Sequence, residues 1–241
     1  MEDGLENVSK LRGKCTAQTL RLRFKRVRAM PGAGRLFKRI ASTPDADQLG
    51  DYLAEIRYAL VFAGLRFQVE VEPQGKDGPD LGISRDNHYA VVEVMRFRKV
   101  YQGPPTLDVT RELGVFPEYG NPPRDIQKTF DKIIAKFRQV QNGESIIAIW
   151  NDDEDLEEPE AEAATAYVRD ATAQGTLNPP SGLLFVLYGS NWIKIENRRQ
   201  LYCFPVRCPA QEHQQTWQEE LESSTVEQLV QRALAQLRRG T

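Results

Sequence analysis

The chain has 241 residues, of which 40% are apolar and 27% charged, and its formal net charge is -2. These values are ordinary for a soluble globular protein, and no apolar run approaches the roughly 18 residues that a membrane span requires. The N-terminus lacks the apolar core of a secretion signal, so we expect a cytosolic protein with no membrane partner. Three cysteines without CxxC spacing and only two histidines argue against a zinc site. Any bound metal should therefore be a hard ion held by carboxylates.

Charge is distributed unevenly along the chain. Eleven Lys or Arg and no acid lie between Lys10 and Arg39, whereas eight acids and no base lie between Asp152 and Glu162. The basic run is interpreted either as a surface that meets phosphate or as a solvated extension, and the apolar residues within it allow part of it to pack. The acidic run lacks the glycine and spacing of an EF-hand and is expected to be a solvated loop.

The first half of the chain predicts one helix followed by three strands. Apolar residues recur at steps of three and four over residues 47–64, which is typical of an amphipathic helix. Apolar and polar residues alternate over 67–72, which predicts a half-buried strand. Residues 80–84 and 89–98 predict two more strands, which we expect to form a hairpin around the tight connection at 85–87.

The second half begins with a loop at residues 100–123 that is rich in Gly and Pro and unusually long for a compact domain. A strong amphipathic helix is predicted over 125–141 and a strand buried on both faces over 145–150. The remaining predicted elements are a helix at 160–174, strands at 183–188 and 192–196, and one or two polar helices within 211–239.

This order of elements predicts an α/β fold in which helices flank a mixed sheet. The hairpin supplies the antiparallel part of the sheet, and the helix at 125–141 supplies a crossover. We expect a basic N-terminal arm at residues 1–41, an α/β core at 42–210 and a C-terminal helical segment at 211–241.

An acid, Glu93, stands in the middle of the apolar run that forms the predicted third strand. A buried unpaired carboxylate is costly, so its surroundings should offer it a partner. Side chains alternate across a strand, so Glu93 shares a face with Met95, and Asp80 lies on the neighbouring strand of the hairpin. Left alone, two such acids would repel each other, whereas a divalent cation can take oxygen from both.

Each of the candidate acids also has an ordinary structural explanation. Glu93 would be satisfied by a salt bridge to Arg57 or Lys132. Asp80 follows a proline, where acids commonly stabilise turns. Glu55 lies on the predicted helix at 47–64, where exposed glutamates are frequent.

The dipeptide Pro79-Asp80, Glu93 in an apolar strand thirteen residues later, and Glu55 on the preceding helix resemble the PD-(D/E)xK nuclease superfamily. The resemblance covers roughly residues 47–150. It implies a restriction-endonuclease-like αβββαβ core in which Asp80 and Glu93 bind Mg²⁺ or Mn²⁺ and Glu55 is an accessory ligand. Gln127 would correspond to a glutamine found in some members.

The sequence departs from that superfamily at the position two residues after the strand glutamate, where a lysine usually positions or activates water. Met95 occupies this position, and a thioether neither carries charge nor donates a hydrogen bond. Superfamily members sometimes carry the lysine on a neighbouring element. Lys128 and Lys132 on the following helix are then the candidate catalytic lysines, with Lys99 a weaker one, although a solvated helix face is their ordinary explanation.

The resemblance implies a metal-dependent phosphodiesterase that acts on nucleic acid, with DNA the favoured substrate. Metal-activated water would attack the phosphodiester while the basic arm and the loop at 100–123 hold the backbone. The alternative, favoured by Met95, is a catalytically degenerate fold that binds nucleic acid or protein. A homodimer stays open, and the absence of a P-loop or a GxSxG motif disfavours other common chemistries.

Overall fold

The computed structural model describes residues 17–75, 77–97, 124–140, 143–151, 158–190 and 201–206. The predictions for the loop at 100–123, the strand at 192–196 and the helices within 211–239 lie outside these residues, as does Lys99.

Three helices precede the sheet: α1 at Ala17–Arg28, α2 at Ala33–Ser42 and α3 at Ala46–Gly64. Basic residues occupy the exposed faces of α1 and α2, while Phe24 and Leu36 are buried in the core. The segment predicted as an arm separate from the core therefore forms part of that core over its described residues, because its interleaved apolar residues follow the helical period.

The turn between α1 and α2 is fixed by Gly32. Its φ is 78°, which favours glycine, and a Cβ there would lie 1.8 Å from the carbonyl oxygen of Val71. The Val71 amide also donates a hydrogen bond to the carbonyl oxygen of Pro31 at 2.8 Å. The segment at residues 31–34 is thus a docked turn between α1 and α2.

Helix α3 begins where the sequence predicts. Asp45 is its N-cap and accepts a hydrogen bond from the Asp47 amide at 2.8 Å. The helix buries Leu49, Ile56 and Phe62 against the sheet-side core.

The six described strands form one sheet in sequence order. The first three are antiparallel neighbours, the third, fourth and fifth run parallel, and the sixth returns antiparallel to the fifth. The strands are β1 at Gln68–Val71, β2 at Leu81–Arg85, β3 at His88–Phe97, β4 at Ser145–Asn151, β5 at Leu183–Ser190 and β6 at Leu201–Pro205. The mixed sheet is confirmed, whereas β6 has no counterpart among the predicted strands.

The β2–β3 hairpin turns through the two residues Asp86 and Asn87. Their φ angles are 52° and 66°, as a type I′ turn requires. The short turn fixes the register, in which Leu81 lies opposite Val92.

Helices cover both faces of the sheet. Helix α4 at Arg124–Lys136, which continues as a 3₁₀ turn at Phe137–Gln139, and α5 at Glu158–Ala173 form one layer. Two hydrophobic clusters result, because alternate residues of β3 and β4 point to opposite faces. The cluster under α1 to α3 contains Val92 and Ile146, and the cluster under α4 and α5 contains Met95 and Ile147.

Of the helices that the structure describes, none combines the length and the apolar character required to cross a membrane.

Candidate active site

Glu93 is buried at the centre of β3. The residue is 0% exposed, and it lies opposite Ile147 of the parallel neighbour β4. Met95 and Phe97, on the same side of the strand, pack into the cluster beneath α4. Since apolar side chains surround it on this face, the carboxylate has to be stabilised by a few specific polar groups.

Asp80 is brought to Glu93 by the register of the hairpin. Leu81, the first residue of β2, pairs with Val92, so Asp80 immediately before β2 comes next to Glu93, the residue after Val92. The Val94 amide donates a hydrogen bond to Oδ2 of Asp80 at 2.8 Å. The two residues line the same pocket, and the Asp80 charge contributes to the raised pKa of Glu93. The predicted convergence of these acids is therefore present.

Lys136 supplies the cation beside this pair. Its Nζ donates a hydrogen bond to Oε1 of Glu93 at 2.5 Å. The second oxygen of Glu93, Oε2, is buried and accepts no hydrogen bond with ordinary geometry from the described residues. A bond between Glu93 and Asp80 requires that one of them carry a proton, because two ionised carboxylates offer only acceptors.

The surroundings of the two acids favour their neutral forms. Burial raises the pKa of Glu93 to about 8, with a further rise from the Asp80 charge and an opposing effect of Lys136. Burial also raises the pKa of Asp80, while the Val94 amide and the charge of Lys136 oppose the rise. The pair thus holds a proton near neutral pH, which a cation that binds both carboxylates would displace.

Glu55 reaches the same region from α3 but is held by an arginine. Arg39 of α2 donates from Nη2 to Oε2 of Glu55 at 3.0 Å. Burial raises the pKa of Glu55 well above its ordinary value, the Asp80 charge raises it further, and Arg39 lowers it. Among the residues that the structure describes, no group of three or more His, Cys, Asp or Glu is arranged to hold a metal ion. Glu55 therefore lies in the same region as Asp80 and Glu93, but its carboxylate is paired with Arg39.

The lysines singled out from the sequence make other contacts. Lys128 Nζ lies 4.1 Å from the ring centroid of Phe97, and Lys132 donates to the carbonyl oxygen of Arg96 at 3.1 Å. Lys136, one turn further along α4, is the lysine that reaches Glu93. Lys128 and Lys132 line the same pocket as the acids, so their predicted role stays a prediction, but the ammonium that bonds Glu93 belongs to Lys136.

The other predicted partners are likewise placed elsewhere. The guanidinium of Arg57 lies 4.9 Å from the ring centroid of Trp150, whereas the ion pair given for Glu93 is with Lys136. Gln127 donates from Nε2 to Oδ1 of Asp131 at 2.9 Å, and its Oε1 is buried without a partner among the described residues. The side-chain carbonyl oxygen of Gln127 therefore lacks a hydrogen-bond partner in the described part of the chain.

Asp80 and Glu93 lie on the wall of a pocket of about 510 Å³ between α3, β3 and α4. This volume is in the range of small-ligand sites. Cationic side chains from three elements share the wall with the acids and give it the charge that a phosphate would require. These are Arg39, Arg96, Lys128, Lys132 and Lys136.

Arg96 is positioned at the pocket by a glycine within α3. Its Nη1 donates to the carbonyl oxygen of Asp47 at 3.1 Å. A Cβ at Gly50 would lie 2.0 Å from that Nη1, so only glycine leaves room for the guanidinium in this place. Glycine inside a helix costs about 1 kcal/mol relative to alanine. The space that the Arg96 guanidinium occupies against α3 therefore explains why a glycine stands inside this helix.

Comparisons with protein families, with curated proteins and with solved structures found no match to this chain.

Proposed function

We propose that this protein is a metal-dependent phosphodiesterase that cleaves nucleic acid, with DNA the favoured substrate. The observation that carries the proposal is the meeting of Asp80, Glu93 and Lys136 at one pocket. A lysine, a strand glutamate and an aspartate from the adjacent strand are the groups that the resemblance to the PD-(D/E)xK superfamily implies. In this chain the lysine is Lys136, which comes from α4. Met95 occupies the strand position where the superfamily usually has its lysine.

The order of elements supports the same proposal. From Ala46 to Asn151 the chain forms a helix, three antiparallel strands, a helix and a strand parallel to the third. The resemblance to the PD-(D/E)xK superfamily implies the same αβββαβ order. A fold hosts many functions, so the argument for cleavage rests on the side chains of the pocket.

The donor set of the pocket fits a hard divalent cation. Mg²⁺ is commonly held by one or two carboxylates together with water and substrate phosphate. Asp80 and Glu93 would hold the ion, and Oε2 of Glu93, which is buried without a hydrogen-bond partner in the described part of the chain, is an acceptor suited to it. When bound, the ion supplies charge neutralisation and lowers the pKa of a coordinated water.

The protein groups around the acids have distinct tasks in this proposal. The Lys136 ammonium, 28% exposed at its side chain, lies between the buried Glu93 and the open pocket. It orients the attacking water and offsets negative charge that develops on the phosphate. Arg96 and Lys132 lie further along the pocket wall, where they bind phosphates of the substrate strand.

Labelled single- and double-stranded DNA and RNA, incubated with the protein and Mn²⁺ or Mg²⁺, test this function. We expect cleavage by the wild-type protein and none by Asp80→Asn, with folding monitored by circular dichroism. Asp86→Asn is the matched control, since its side chain is 70% exposed at the hairpin turn. Equal cleavage by Asp80→Asn and wild type would contradict the proposal.

One observation favours a second candidate, a binding module without turnover. Lys136 contacts Glu93 and Arg39 contacts Glu55, so both acids have protein partners without a metal. In that case nucleic acid binds with a steep salt dependence, and no product appears with either metal. Binding that survives Asp80→Asn without any cleavage by wild type identifies this alternative.

A further inference from the structure

Arg39 joins two buried acids beside the candidate site. Its Nη2 lies 3.0 Å from Oε2 of Glu55 and 2.5 Å from Oε1 of Glu72. Glu72 has a second partner, because Arg35 Nε lies 2.9 Å from its Oε2. The Arg39 guanidinium also lies 4.5 Å from the ring centroid of Tyr52. Among these ion pairs, Glu55 is paired with Arg39, whereas Glu72 is paired with both Arg39 and Arg35.

Glu55 shares a pocket wall with the two acids of the candidate metal site. Glu55, Asp80 and Glu93 all line the same cavity, yet the described residues contain no three acids arranged to hold an ion. The hydrogen bond with Arg39 gives the Glu55 carboxylate a fixed partner on the α2 side. A metal would have to compete with this guanidinium for the third carboxylate.

We infer that Arg39 is a positioning residue that keeps Glu55 from serving as a third ligand of the metal held by Asp80 and Glu93. The inference rests on the proposed function, since it assumes that those two acids bind an ion. It assigns to α2, which lies in the segment predicted as a basic arm, a direct role in the composition of the site.

The energetic reason is the cost of a buried charge. Removal of one member of a buried ion pair leaves the other uncompensated. If Arg39 is replaced by methionine, the Glu55 carboxylate has no guanidinium and a nearby divalent cation becomes its best partner. Metal affinity should then rise, and the rise should require the Glu55 carboxylate.

Mn²⁺ titration by calorimetry, without nucleic acid, measures this directly. Glu55→Gln should leave the wild-type Kd within about twofold, Arg39→Met should tighten Kd about tenfold, and Arg39→Met with Glu55→Gln should lose that gain, as expected for coupling energies of this size. Arg35→Met is the matched control, because Arg35 lies one turn earlier on α2 and contacts Glu72. Its Kd should equal that of wild type.

The inference is overturned if Glu55→Gln weakens wild-type binding about tenfold, because Glu55 would then already be a ligand. It is also overturned if Arg39→Met binds no tighter than wild type, or if the gain persists in the double variant. If Arg39→Met does not fold, Arg39→Gln replaces it and is judged by the same criteria, because glutamine keeps a polar side chain but removes the positive charge that Glu55 pairs with.

Asp80→Asn separates this inference from the proposed function. If wild type binds Mn²⁺ and Asp80→Asn does not, the metal site stands and the Arg39 variants test the inference alone. If no protein in the series binds Mn²⁺, the proposed metal site is wrong and the role of Arg39 is wrong with it.

Discussion

Lys136 donates a hydrogen bond to Glu93 at 2.5 Å, although 43 residues separate them. It is the last of three contacts along α4. Before it, Lys128 lies over the ring of Phe97, and Lys132 donates a hydrogen bond to the carbonyl oxygen of Arg96. Later residues of α4 meet earlier residues of β3 because the helix returns antiparallel along the strand. The last turn of α4 therefore places the Lys136 ammonium beside Glu93 in β3.

Lys136→Met should separate cleavage from metal binding. We expect the cleavage rate to fall about 10²- to 10⁴-fold, the range for loss of one positioned proton-transfer or charge-stabilising group. Mn²⁺ binding should persist, because an ammonium is not a ligand and competes with the ion for Glu93. Single-turnover cleavage and calorimetry check the two expectations. Arg138→Met is the control, because Arg138 is exposed and does not line the pocket. Equal rates for Lys136→Met and this control would contradict the assignment.

Asp80→Asn should abolish metal binding without unfolding the protein. Asparagine keeps an oxygen that can accept the hydrogen bond from the Val94 amide, so the local structure is retained. It lacks the negative charge that a divalent ion requires, and we expect Mn²⁺ affinity to fall by at least about 100-fold. Calorimetric titration and thermal unfolding measure these effects. An unchanged Kd would show that Asp80 is not a ligand.

The convergence of Asp80 and Glu93 is predictable from the sequence. A two-residue turn at Asp86 and Asn87 places residues at equal distances from it on opposite strands, and Asp80 and Glu93 are each six residues from the nearer turn residue. Opposed residues share a face of the sheet. The short turn thus converts sequence spacing into geometry.

The partners of the acids are not predictable in this way. Three lysines recur at steps of four on α4, and which one reaches Glu93 depends on the axial position of the helix over β3. The sequence connecting the two does not specify that position. Arg39 was missed as well, because its ion pair with Glu55 depends on how α2 docks on α3. A basic run is typical of a solvated surface, and its apolar periodicity was the one signal that it packs.

The pH dependence of stability should report the burial of Glu93. Its pKa is about 8 in the folded protein and 4.5 in its ordinary state, so the unfolded chain loses this proton first as the pH rises. The free energy of unfolding therefore falls between these values, by up to about 1.4 kcal/mol per pH unit. The contribution is complete below pH 4.5 and lost above about pH 8.

Glu93→Gln removes this contribution, because the amide does not ionise. Urea unfolding without divalent metal, at pH values between 4.5 and about 8, should give a shallower decline for the variant than for wild type. If the free energy of unfolding declined equally in wild type and variant, the pKa of Glu93 would be the same in the folded and unfolded states.

Gly32→Ala and Gly34→Ala should change stability in opposite directions. At Gly32 the backbone has a φ of 78°, and an added Cβ would meet the backbone oxygen of Val71 at 1.8 Å. The left-handed conformation alone costs a non-glycine residue about 1–2 kcal/mol, so a loss above 2 kcal/mol is expected with the clash. Gly34 lies within α2, and an added Cβ would meet no atom within 4 Å outside the adjoining backbone, so alanine should gain up to about 1 kcal/mol there. Urea unfolding of both variants tests the docked turn between α1 and α2, and equal effects would show that it is not fixed as described.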